Sequence, residues 1–120
     1  MATSYYDAED FFTINAEQFP LTISVQLGDG QGGGYLIFNG TDLVGINTEA
    51  TIDTIEAISE WITVTATIKD KLEETNWTSI TITLKANNKR KLQTFGPYKR
   101  EVEKHLDTVG YTVKLKMLAS

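Results

Sequence analysis

Twice between residues 61 and 84 the chain sets an aliphatic row against a hydroxyl row with a period of two. In the first stretch Ile62, Val64, Ala66 and Ile68 alternate with Trp61, Thr63, Thr65 and Thr67. In the second, Ile80, Ile82 and Leu84 alternate with Trp77, Ser79, Thr81 and Thr83. An extended strand sends successive side chains to opposite faces, so each stretch reads as a strand with one face on a core. The β-branched residues that fill both rows favour the same state. The polar link 70–76 is short enough to join them as an antiparallel hairpin, which would put Trp61 and Trp77 at opposite ends of one hydroxyl face.

The pattern recurs elsewhere. Leu21, Ile23, Val25 and Leu27 alternate with Thr22, Ser24 and Gln26, and Tyr111, Val113, Leu115 and Met117 alternate with Thr112, Lys114 and Lys116. Tyr35 to Phe38 reads as a strand buried on both sides, Asn39-Gly40 as a turn, and Leu43 to Ile46 as a short strand. Residues 49–58 mix three-residue Ile spacing with Thr-rich extended chain and read as irregular with a strand. Residues 85–91 read as a basic turn and Leu92 to Phe95 as a short strand. Pro97, the spacing of Val102, Leu106 and Val109, and Gly110 favour a helix over 97–109; the rival is a hairpin turning at His105 to Thr108.

About seven short strands predict a mainly β chain, an antiparallel β-sandwich with at most that one short helix. At 120 residues, 41% apolar, the chain suits a single β-sandwich domain over 1–120. The predicted core is Leu21, Ile23, Val25, Leu27, Leu36, Phe38, Ile62, Val64, Ile68, Ile80, Ile82, Leu84, Val113 and Leu115.

Chemistry is sparse. Without Cys there is no thiolate centre or thiol nucleophile, and the single histidine, His105, gives no His₂ metal site within one chain. No catalytic residue, cofactor or metal is expected. The loop GDGQGGG at 28–34 runs into a strand instead of a helix, lacks a nearby Lys, and reads as a hairpin connection instead of a phosphate cradle. Asp29 is one carboxylate, short of a Ca²⁺ site. Glu73-Glu74 and Glu101 with Glu103 read as solvated acids, not a catalytic pair. The first ten residues lack the basic and apolar regions of a signal peptide, and no 18-residue apolar run is present to span a membrane as a helix.

What distinguishes the chain is charge order. Residues 1–68 hold ten acids and no Lys or Arg; from Lys69 onward all eleven bases stand against six acids, −10 followed by +5. Such a split bears on association. The expected function is therefore a non-enzymatic protein–protein interaction or self-assembly module, with itself the favoured partner as a homo-oligomer. Acidic N-terminal and basic C-terminal surfaces would meet, provided that 21–46 and 61–84 form separate regions. The last strand, with Lys114 and Lys116 as outward charges, suits a sheet edge. The alternative is a carbohydrate- or small-ligand-binding sandwich using exposed aromatics. Candidate partner- or ligand-binding residues are Trp61, Trp77, Tyr98, Lys89, Arg90, Lys91 and Arg100. Nucleic acid is a weaker fit, since the acidic half opposes a polyanion.

Overall fold

The structure, a computed structural model, describes residues 3–28, 32–69, 77–102 and 107–119. They form nine strands: β1 Thr3–Ile14, β2 Leu21–Gly28, β3 Gly32–Asn39, β4 Asp42–Ile46, β5 Ala50–Ile52, β6 Trp61–Lys69, β7 Trp77–Lys85, β8 Lys91–Glu101 and β9 Thr108–Ala119. Single 3₁₀ turns occupy Ala16–Gln18 and Ile55–Ala57. Two sheets pack face to face: β1-β9-β6-β3-β4 and β5-β2-β7-β8. The β-sandwich expected from the alternation is present, with more strands than the seven foreseen. All pairings are antiparallel except β1 with β9, which run parallel through twelve register pairs from Thr3↔Thr108 to Ile14↔Ala119.

The aliphatic rows meet between the sheets. Ile62, Val64 and Ile68 from β6 and Val109, Val113 and Leu115 from β9 face Leu21, Ile23, Ile80, Ile82 and Leu84, all fully buried. Val25, Leu27, Leu36 and Phe38, expected in the core, are only half-buried. Leu36 and Phe38 lie on the outer face of the five-stranded sheet, because strict alternation gives the inner position on β3 to Ile37. Phe12, Ile14, Phe95 and Tyr111 complete the core.

Several connections differ from expectation. β6 and β7 do not form a hairpin, since they lie in different sheets; the link 70–76 lies outside the described residues. β2 and β3 likewise belong to different sheets, and Gly32–Gly34 is the start of β3 against β6. A side chain at Gly33 would collide with the Thr67 carbonyl oxygen, so glycine there permits close strand approach. The helix over 97–109 is not formed. β8 continues through Pro97 to Glu101, with Gly96 and Pro97 bulged out between the pairs Ile82↔Phe95 and Ile80↔Tyr98. Gly96 has φ +93, a value that L side chains rarely adopt. The rival hairpin fails too, since β8 and β9 are in different sheets.

The regions 21–46 and 61–84 are not separate: β2 pairs with β7, and β3 with β6. Nor is β9 an edge strand; it lies between β1 and β6. The true edges are β1 and β8 on one flank and β4 and β5 on the other.

Candidate functional site

The residues singled out from sequence do not converge. Trp61 opens β6 on the outer face of the five-stranded sheet, half-buried, with the Lys116 ammonium 5.7 Å from its ring centroid. That ammonium also pairs with Glu60 at 3.1 Å. Trp77 opens β7 on the outer face of the other sheet, opposite Glu101, and is 44% exposed. The two indoles therefore lie on opposite sides of the molecule, as do the rows Thr63-Thr65-Thr67 and Thr81-Thr83. No single hydroxyl face carries both.

Tyr98 points inward. Its hydroxyl donates to Asp10 Oδ2 at 3.0 Å, and its ring stands 6.1 Å from that of Tyr6. Burial, reinforced by the Asp10 hydrogen bond and charge, pushes the Tyr98 hydroxyl well above its ordinary pKa. Beside it Tyr6 also packs 5.3 Å from Tyr111, whose hydroxyl sits 2.7 Å from Thr78 Oγ1 and 3.1 Å from the Thr78 carbonyl oxygen. Thr78 Oγ1 in turn donates to the Arg100 carbonyl at 2.9 Å. Burial is also the main cause of the raised pKa of Tyr111. Tyr98 is thus a joint between β1 and β8 and not an outward stacking platform. Phe12 and Phe95 continue that joint, edge to face at 6.5 Å.

The basic candidates are all exposed but fall into two groups. Lys89 and Arg90, in the turn after β7, and Lys91 lie at one end of β8; Arg100, with Lys99, lies at the other. At 3.3 Å per residue the groups are roughly 30 Å apart. Among the described residues no three His, Cys, Asp or Glu side chains are grouped to hold a metal. His105, Asp29, Glu73, Glu74, Glu103 and Lys104 lie outside the described residues.

Sequence reasoning missed two surfaces. The first is β1, an edge strand whose outer row Tyr5, Asp7, Glu9 and Phe11 is exposed, Phe11 by 56%. The second is the β4 corner. A bulge beside Ile37/Phe38 displaces Val44, while Leu43 and Ile46 pair with Phe38 and Leu36 on the outer face. Leu43 and Ile46 are 47% and 59% exposed, and with Val44, Gly45 and Thr48 they line a shallow depression of about 320 Å³. Across the five strands one outer row runs Glu9, Lys114, Thr63, Phe38, Leu43. The face therefore grades from charged at β1 to apolar at β4.

Around the β4 corner the charge is acidic: Asp42, Glu49, Asp53 and Glu56 are all exposed. Lys85 approaches Glu49 at 4.0 Å from β7. The opposite flank carries the basic edge of β8. No family model, curated protein or solved structure matches the chain.

Proposed function

We propose that the protein is a non-enzymatic association module, a unit that joins copies of itself or docks on a partner through charged and apolar sheet edges. One observation carries the reading: exposed acids crowd the β4/β5 flank, while exposed bases line β8 on the other flank, beside the acidic Asp7 and Glu9 of β1. Residues 42–56 put four exposed carboxylates beside the aliphatic strip of β4, whereas Lys89, Arg90, Lys91, Lys99 and Arg100 project from the turn and strand at the opposite side. The interleaving of β9 between β1 and β6 removes part of the split, since Lys114 stands beside Glu9. The remainder lies at edges, where backbone groups are open to another strand. An exposed ion pair is worth about 0–1 kcal/mol, so charge would set rate and orientation while Leu43, Val44 and Ile46 supply affinity.

Sedimentation velocity over a concentration series tests this. Association that weakens as salt rises, and weakens further in Leu43→Asp, is the expected result; a monomer at every concentration in low salt, with no partner captured, removes self-association. Among the aromatic candidates named from sequence, the alternative, a carbohydrate or small-ligand site, rests on Trp77, because Tyr98 is committed inward and Trp61 lies under Lys116. A fluorescence titration with neutral oligosaccharides distinguishes the two.

A further inference from the structure

Resting on the reading of the protein as a self-associating module, we infer that its copies join head to tail, the β4/β5 flank of one against the β1/β8 flank of the next, into an open filament. Three independent features of the two flanks agree. The first is strand direction. β1 and β9 run together, β6 opposes them, β3 opposes β6 and β4 opposes β3, so β4 runs opposite to β1. In the other sheet β5 opposes β2, β2 opposes β7 and β7 opposes β8, so β5 runs opposite to β8. A second copy placed beside the first without rotation therefore meets both edges antiparallel, the commoner and stronger pairing.

The second feature is exposed apolar surface on both edges: the row of Leu43 ends on Glu9, and a slide of two residues along the strands brings Leu43 level with Phe11. Leu43 and Ile46 on β4 and Phe11 on β1 project from the same outer face, exposed in the isolated chain. β1 runs twelve residues without Lys, Pro or a break in its register with β9, so its backbone edge is continuous, and the charges of Asp7, Glu9 and Asp10 restrict which partner can use it. Its acid Glu9 already neighbours Lys114.

The third is charge in the other layer. Glu49, Asp53 and Glu56 flank the β5 edge, which the registers through β2 and β7 bring level with residues 90–93, so they would face Lys89, Arg90 and Lys91 of the next copy. There the Gly96-Pro97 bulge and the three residues of β5 rule out a long ladder, so that layer contributes charge and the β1–β4 layer contributes the ladder. Pairing β1 with β1 across a two-fold would instead set Asp7 and Glu9 against their own kind, which is unfavourable. Contact between unlike flanks without closure grows as a filament.

The experiment uses two blocked variants and their mixture. Leu43→Asp/Ile46→Asp disables the β4/β5 flank; Phe11→Asp/Lys91→Glu disables the β1/β8 flank. All four positions are exposed, and an unchanged far-UV spectrum and unfolding midpoint verify the fold of each variant. Wild type is expected to form a concentration-dependent ladder of species, with association at least about tenfold weaker at high salt. Each variant alone should sediment as a 13.4 kDa monomer, and the equimolar mixture as a species of twice that mass and nothing larger. A variant that still dimerises alone, a mixture that stays monomeric, or a wild type that stops at a closed dimer overturns the head-to-tail arrangement while leaving self-association standing. A wild type monomeric throughout overturns both.

Discussion

Tyr98 shows how one hydroxyl can join two sheets. It sits on β8, the edge of the four-stranded sheet, and donates to Asp10 on β1, the edge of the other. Asp10 is itself an inward-pointing charge on an edge strand, a placement that discourages indiscriminate pairing there. Because burial and Asp10 raise the Tyr98 pKa, ionisation is easier in the unfolded chain, where tyrosine titrates near 10.0, than in the fold. Above that pH the unfolded state binds fewer protons than the native state, so stability contributed by this group is complete below pH 10 and falls as pH rises. Urea midpoints measured between about pH 9 and 12 should decline, and the decline should be shallower in Tyr98→Phe. An identical slope in the two proteins would remove Tyr98 from the explanation.

At the scale of elements, β1 separates what the sequence displays from what it hides. Its inward row is Tyr6, Ala8, Asp10, Phe12 and Ile14, a period of two with a carboxylate at its centre, so the segment resembles a solvated acidic terminus. The strands at 21–28, 61–69, 77–85 and 111–117 were legible because no charge interrupts their inner rows. Partnership was not: which strands pair depends on contacts distant in sequence, and alternation in 61–69 and 77–85 is the same whether they form a hairpin or lie in opposite sheets. The Lys89–Lys91 and Arg100 charges were readable as charges, but their place on an edge strand follows from that same hidden pairing. Leu43–Ile46 was legible as a short strand, but hydrophobicity alone does not reveal that it is an exposed edge. β1 also provides a clean mutational contrast. Phe12 is buried against Phe95, and Phe12→Ala should cost about 3–5 kcal/mol, whereas the adjacent exposed Phe11→Ala should lie within about 0.5 kcal/mol of wild type in denaturant unfolding. Equal costs for the two would contradict the inward and outward assignment of the strand.

For the molecule as a whole, the extents of 45 × 25 × 21 Å describe a rod-like sandwich, with exposed acids on the β4/β5 flank and on β1 and exposed bases along β8. The parallel pairing of β1 with β9 has a consequence of a different kind. Thr3 pairs with Thr108 at one end of the ladder, and Ala119 pairs with Ile14 at the other. Residues 3 and 119 are therefore separated by roughly 36 Å along the strands. Tension applied between them drags the two strands past each other, so every rung bears load together and many must break in one event. Tension between residues 14 and 119, at the same end, peels the rungs apart singly. Single-molecule stretching should give a markedly higher rupture force through the first pair of handles than through the second, and equal forces would contradict a shear-loaded ladder. In a filament of such units, a pull along the strands would meet a clamp already built into each subunit.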